Sequence, residues 1–287
     1  MSDYRKYQPL RPIRLQYDFE AATSHLKGKH PDPSHCDRII NENALIMAAS
    51  TKLIAALFKE RIDPNCRERA FKISKLVNDL IDNRPAAVGT KSTPRINKDG
   101  RLSPYDATAD EVMNILDDDN ARQGLFGAVK GKGKRPARLS PLTKKHPEWL
   151  DQLRKPIEVA DQLYSKYLST LYAVQLAEVE KASRDVRLWH TAFSSAYIIR
   201  NVRSCYHRDG NLQNVMSALL PFGNFTGAEL VLPRWRVAFA LQPGDVLFFD
   251  AEELHGNLSF DGERASLVCY CTRGLIVENS SMTSFTR

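Results

Sequence analysis

Cysteine is scarce in this chain of 287 residues: Cys36, Cys66, Cys205, Cys269 and Cys271 are an odd set with no Cys-x2-Cys pair. Neither a full disulfide framework nor a cysteine-rich zinc site is expected from that spacing, and reduced thiols are. Long hydrophobic runs are missing too. No stretch approaches the ~18 uninterrupted apolar residues of a membrane helix, and the polar N-terminal segment carries no secretory apolar region. A soluble intracellular chain without a membrane partner is the expectation. The Walker spacing Gly-x4-Gly-Lys-Ser/Thr is absent although Gly131-Lys132-Gly133-Lys134 imitates part of it, which excludes a P-loop nucleotide site. There is no internal repeat and no excess of acid. Forty-one Lys and Arg against 34 Asp and Glu leave a formal charge of +7, which favours a polyanionic partner.

The composition, 26% charged and 43% hydrophobic, is that of a folded globular protein. At roughly 150 residues per domain the length fits two units, or one large β-barrel domain with a helical extension. Residues 1–36 contain PLRP and KGKHPDPSH and sustain no period, so they read as an arm wrapped on the body. His25, His30 and His35 recur at equal intervals there, but Pro31 and Pro33 deny them a common helix and a metal site is not inferred. Residues 37–185 read as a mainly helical support region. RIINENALIMAASTKLIAALFKERI repeats apolar residues at three and four spacings and predicts a first helix. Asp63-Pro64 opens a second helix through Leu76 and Leu80; residues 83–100 read as a loop and 109–116 as a short acidic helix. A long helical stretch is predicted from about His146 to Ser183. Between them, residues 127–145 hold seven Lys or Arg, three Gly, two Pro and no acid. This segment is either a solvated loop or a phosphate-contacting one, with Lys130, Lys132, Lys134, Arg135 and Arg138 as candidate DNA-backbone contacts.

From about residue 186 to 287 the period changes to two. SSAYIIRNV, AELVLP, RVAFAL, DVLFFD and ASLVCYC are short, rich in β-branched and aromatic residues, and separated by turn residues. The fold expected is α+β: a double-stranded β-helix core, jelly-roll or cupin-like, behind a helical N-terminal portion. Within the β half, His207-Arg208-Asp209 follows one predicted strand and His255 follows another. Two imidazoles and one carboxylate can occupy one face of an octahedral ion and leave three positions open, the arrangement of non-haem Fe(II) oxygenases. Arg264 and Ser266 open the last predicted strand. Strand alternation sends both to one side, where an arginine fork and a hydroxyl suit a carboxylate.

Together His207-x-Asp209, Gly227-Ala228-Glu229-Leu230, PGDVLFFD, His255 and Arg264 resemble the 2-oxoglutarate/Fe(II) dioxygenases. Within that superfamily the run AELVLPRWRVAFALQPGDVLFFDAEELHGN and the basic charge are similar to the TET/JBP nucleic-acid base oxidases, most of all their fungal, transposon-associated branch. The likeness covers about residues 190–275. It implies iron ligation by His207, Asp209 and His255 and 2-oxoglutarate binding by Arg264, with Ser266 as an addition. Tyr270 matches the aromatic residue that stacks on the flipped base, and Thr272 stands where a base-contacting histidine is common. Arg203, four residues before the first ligand, either neutralises the metal-end carboxylate of the cosubstrate or is an ordinary surface arginine.

The reaction implied is oxidation of a methyl group on a base flipped from methylated double-stranded DNA, using Fe(II), 2-oxoglutarate and O2 with ascorbate as reductant. The leading substrate is 5-methylcytosine, carried to hydroxymethyl, formyl and carboxyl products, with N6-methyladenine demethylation beside it. The alternatives are a prolyl-type protein hydroxylase on the same barrel and a DNA-binding protein with a vestigial iron site. No obligate protein partner is expected, and the implied location is the nucleus.

Overall fold

The computed structural model describes residues 10–77, 122–131 and 136–275. In chain order the elements are β1 (Arg11–Leu15), α1 (Glu20–Thr23), β2 (Arg38–Ile40), β3 (Ala44–Ala48), β4 (Leu53–Phe58), α2 (Pro64–Leu76), β5 (Arg122–Val129) and β6 (Arg138–Leu139). There follow α3 (Pro141–Lys145), α4 (Pro147–Tyr167), α5 (Ser169–Lys181), β7 (Ser195–Arg200), β8 (Ser217–Gly227), β9 (Leu230–Leu232), β10 (Val237–Phe239), β11 (Val246–Phe249), β12 (Gly256–Asn257) and β13 (Phe260–Tyr270). The larger sheet runs in the order β1, β3, β4, β11, β8, β13, β7, β5, β6, and the smaller in the order β12, β9, β10, β2. The two sheets form a double-stranded β-helix.

Its layers follow from strand alternation. On β13, Ala265, Leu267 and Cys269 turn to the helical side, where they pack with Ile73 of α2 and with Leu153, Ile157 and Tyr164 of α4. Ala218, Leu220 and Phe222 of β8 and Val246 and Phe248 of β11 join that layer. The opposite face of the large sheet meets the small one: Leu57, Leu219, Leu247 and Phe249 pack with Leu230, Leu232, Val237 and Phe239. One face is therefore sealed by helices, while the other closes a barrel whose mouth is left for chemistry.

The helix caps follow local sequence. Asp63 accepts the Cys66 amide at 3.0 Å with Pro64 at the first helical position, so α2 starts where the Asp-Pro pair predicts. Ser140 caps α3 in the same way before Pro141. The long helical stretch is divided at Leu168 into α4 and α5.

The region 37–185 departs from its mainly helical reading. The run 38–62 forms β2, β3 and β4, not a helix. In β3, Ala44, Ile46 and Ala48 are buried and Leu45 and Met47 half-buried, so both faces are covered and the apolar run carries no clean period of two. The chain reverses between β3 and β4 without glycine or proline, through Thr51 at φ 68° and the Thr51 amide donating to Ala48 O at 3.0 Å. Strand β5 also joins the large sheet, against β7. The β core thus draws on the chain well before residue 186, and β1 of the arm lies parallel to β3 at the sheet edge. The expected loop at 83–100 and acidic helix at 109–116 lie outside the described residues.

Candidate active site

His207, Asp209 and His255 converge: one potential ligand atom from each lies within 4.8 Å of the others. The backbone brings them there. His207 and His255 form a two-way bridge, amide to carbonyl at 2.9 and 3.0 Å, and the Asp209 amide donates to Ala251 O at 2.9 Å. One Asp209 carboxylate oxygen stands 3.6 Å from His207 Nε2 and the other 4.0 Å from His255 Nε2.

Each ring is set for ligation by a carbonyl. His207 Nδ1 lies 2.8 Å from Cys205 O, and His255 Nδ1 lies 2.9 Å from Glu253 O. A carbonyl can only accept, so both Nδ1 atoms carry the proton and both Nε2 lone pairs face Asp209. Burial pulls the His255 pKa down to about 4, which keeps its ring neutral near pH 7. The Phe249 ring packs nearly perpendicular to the His255 ring, at 74° with 4.9 Å between ring centres.

The triad opens on a cavity of about 220 Å³. Alternation on β13 delivers Arg264, Ser266, Val268 and Tyr270 to its wall, as the sequence predicts for the first two. Leu219, Leu230 and Phe249 complete an apolar lining. Arg264 and Ser266 are 6% and 2% exposed, yet Arg264 Nε and Ser266 Oγ have no hydrogen-bond partner. Burial pulls the pKa of the Arg264 guanidinium down to about 10, so a buried cation awaits an anion. These orphaned donors fit the distal carboxylate of 2-oxoglutarate, and the three-ligand face fits Fe(II).

Three sequence expectations fare differently. Arg203 is exposed and donates to Pro31 O at 3.0 Å; it stands outside the cavity wall and is corrected to a residue that holds the arm. Thr272 also stands outside that wall, with its hydroxyl 2.5 Å from Ser195 Oγ. Lys130 and Arg138 are exposed. Lys132, Lys134 and Arg135 lie outside the described residues.

Sequence reasoning missed Asn211 and Tyr197. Asn211 lines the cavity and sends its amide to Ser217 Oγ at 3.2 Å and to Asp209 at 3.5 Å, which steadies the carboxylate. Its signal was its place two residues after Asp209. Tyr197 and Ile199 of β7 also reach the cavity, a consequence of alternation in SAYIIR. The cysteines are free, as expected, and four of the five are buried. Among the described residues no helix is long and apolar enough to cross a membrane.

Comparison with known proteins agrees with this geometry. The chain is 26% identical over 250 residues to the bifunctional helicase and thymine dioxygenase JBP2 of Trypanosoma brucei brucei, covering 83% of this chain and 20% of that protein. It is 24% identical over 270 residues to thymine dioxygenase JBP1-A of Trypanosoma cruzi, covering 91% of this chain and 29% of the relative. The chain therefore spans between a fifth and a third of these proteins. NgTET1 solved in complex with 5mC DNA shares the fold at a TM-score of 0.52 and 13% identity, over 93% of this chain and 84% of that one. Residues 124–273 match Tet_JBP, the oxygenase domain of the 2OGFeDO superfamily, whose cofactor and cosubstrates are Fe(II), 2-oxoglutarate and O2. With more than half of its length inside that match, the chain belongs to the TET/JBP family of 2-oxoglutarate/Fe(II) oxygenases.

Proposed function

We propose that this chain oxidises the C5-methyl group of a pyrimidine base flipped out of duplex DNA, with 5-methylcytosine as the first substrate and thymine as the second. One observation carries the reading: the His207, Asp209 and His255 face shares a single cavity with the unpartnered donors of Arg264 and Ser266. His207, Asp209 and His255 would hold the iron, which supplies the oxidising chemistry when bound; each turnover consumes O2 and 2-oxoglutarate and yields hydroxymethyl base, succinate and carbon dioxide. Arg264 and Ser266 orient the cosubstrate by its far carboxylate. Leu219, Leu230, Phe249 and Val268 keep water from its chain.

Tyr270 ends β13 at the cavity wall and is half-buried. Burial pushes its hydroxyl pKa up, so it presents a neutral ring for a base to stack on. Tyr270→Ala is expected to reduce methyl oxidation by the loss of about 1–3 kcal/mol of stacking while 2-oxoglutarate decarboxylation without DNA persists. Equal loss of both activities, followed by succinate release and nucleoside mass spectrometry, assigns Tyr270 to support of the strand instead.

Thymine stands beside 5-methylcytosine because the relatives compared above are thymine dioxygenases and both pyrimidines carry the methyl at C5. The two differ on the Watson–Crick edge, which the Thr272 hydroxyl, engaged with Ser195, does not read. The test is incubation with Fe(II), ascorbate and 2-oxoglutarate on duplexes carrying 5-methylcytosine, thymine or N6-methyladenine, with mass spectrometry of the nucleosides. Oxidation of N6-methyladenine alone would overturn the pyrimidine reading, and succinate release that DNA does not raise, with every base left unoxidised, would point to a protein hydroxylase. A nuclear location accords with this function.

The duplex is held by its phosphates on the basic segment. Lys130, at the end of β5, passes over Gly274 in the turn that follows Tyr270, and the Leu212 amide donates to Cys271 O at 3.0 Å, tying the loop after Asp209 to the same turn. Replacement of Lys130, Lys132, Lys134, Arg135 and Arg138 by alanine is expected to weaken methylated and unmethylated duplexes alike. The slope of log affinity against log salt flattens by roughly 0.9 for each phosphate that the variant no longer neutralises. A wild-type slope in that variant assigns the duplex to another face.

A further inference from the structure

The carbonyls of Cys205 and Glu253 set the tautomers of the two histidines, and the N-terminal arm, outside the 124–273 family match, bonds the neighbour of the first and reaches the side chain of the second through Arg234. At Cys205 the grip is backbone. The Gly28 amide donates to Tyr206 O and the Tyr206 amide to Lys29 O, both at 2.8 Å, so a turn of the arm is pinned by two backbone bonds to the residue before His207. His30 Nδ1 lies 3.4 Å from Cys205 Sγ, and His35 Nδ1 lies 3.1 Å from the Tyr206 hydroxyl. The His35 ring is fixed in turn by the Asp32 amide at 3.2 Å.

At Glu253 the grip is ionic. Glu253 is 3% exposed, and Arg234 Nη1 reaches its two carboxylate oxygens at 3.3 and 3.5 Å. Arg234 is itself forked by Asp18, with bonds of 2.9 and 2.6 Å, and meets Glu20 at 3.2 Å. Glu20 also faces Arg208, between the ligands His207 and Asp209, at 3.6 Å. Pro31 closes the arrangement from outside: a Cβ at Gly256, the residue after His255, would stand 2.8 Å from Pro31 Cγ and 3.0 Å from the Cys205 carbonyl carbon. A glycine there lets the arm touch both histidine segments at once.

We propose that the arm segment Asp18–His35 is a positioning strap for the metal centre, which orients His207 and His255 by fixing the carbonyls of Cys205 and Glu253. Asp18, Glu20 and His35 are positioning residues: none lines the cavity, and each acts through Arg234 or Tyr206. The inference rests on the reading of the triad as the iron site. Groups bonded directly to metal ligands alter metal affinity by roughly 10–100-fold in other metalloproteins, and the arm residues, one contact further out, are expected at the lower end of that range.

The test is Mn(II) binding by the full chain, titrated by electron paramagnetic resonance, together with the visible spectrum of the Co(II) form and the Tm of the metal-free protein. Asp18→Asn with Glu20→Gln, and separately His35→Phe, are expected to weaken Mn(II) about tenfold and to alter the Co(II) spectrum at a nearly unchanged metal-free Tm. Asp18→Glu, which keeps a carboxylate for Arg234, restores binding. Wild-type Mn(II) affinity in both arm variants overturns the strap, as does weakening that only parallels a fall in Tm. Asp209→Ala is the control: undiminished binding there removes the triad reading itself, a result distinct from failure of the arm.

Discussion

His207→Ala and Asp209→Ala are each expected to abolish methyl oxidation and Mn(II) binding while the protein stays folded. Three ligand atoms within 4.8 Å make the candidate metal face among the described residues, and removal of one leaves only two protein ligands for the ion. The loss should exceed the roughly 10–100-fold cost of removing a supporting residue around a metal. The fold survives because His207 and Asp209 are half-buried at the cavity edge and belong to none of the hydrophobic clusters, while the bridge between His207 and His255 is made by backbone atoms. Asp209→Glu lengthens the side chain by one methylene between Asn211 and the two rings and is expected to be strongly impaired as well. Retained turnover in His207→Ala would falsify the triad assignment.

The second large effect is that of Arg264→Met on the 2-oxoglutarate requirement. A charge-assisted bond to the distal carboxylate contributes about 1.5–3 kcal/mol, so loss of a two-bond grip raises the apparent KM for 2-oxoglutarate by roughly a hundredfold or more and leaves that for DNA nearly unchanged. The sign of the stability change separates this from a structural role. In the free protein Arg264 is a buried cation with an unpartnered Nε, held only over the faces of Phe225 and Phe260 at 5.6 and 5.9 Å. Its replacement by an apolar side chain of similar length removes a desolvated charge and is expected to keep or raise the Tm of the free protein. Wild-type protein gains stability from added 2-oxoglutarate in the presence of Mn(II), and the variant should not. No other arginine lines the cavity among the described residues, and the exposed Arg273 is outside it, so an unchanged 2-oxoglutarate dependence removes the cosubstrate reading of this wall.

The residues of the site were legible in the sequence where chemistry and local period coincide. His207-x-Asp209 and the distant His255 are rare as a set, and period two alone puts Arg264 and Ser266 on one face of β13, whatever that strand pairs with. The start of α2 was equally local, because Asp63 and Pro64 act within one helical turn. The run 38–62 was not legible. Its apolar residues face both clusters at once: Ile46 lies toward the small sheet and Leu45 against the helices, so burial on two sides erases the alternation that marks a strand.

By itself, then, the sequence determined the donor set, the carboxylate-binding pair and the β character of the C-terminal region, since each depends on residue type and on spacing along one strand. Only the tertiary structure decided that Arg203 and Thr272 stand outside the cavity and that Asn211 and Tyr197 stand within it. It also decided that the arm bonds Tyr206, beside Cys205, and reaches Glu253 through Arg234. Those outcomes depend on pairings between segments distant in sequence, such as Tyr206 with Lys29, His207 with His255 and Ser195 with Thr272, and the registers of such pairings are set by packing across the barrel and are not encoded in any local pattern.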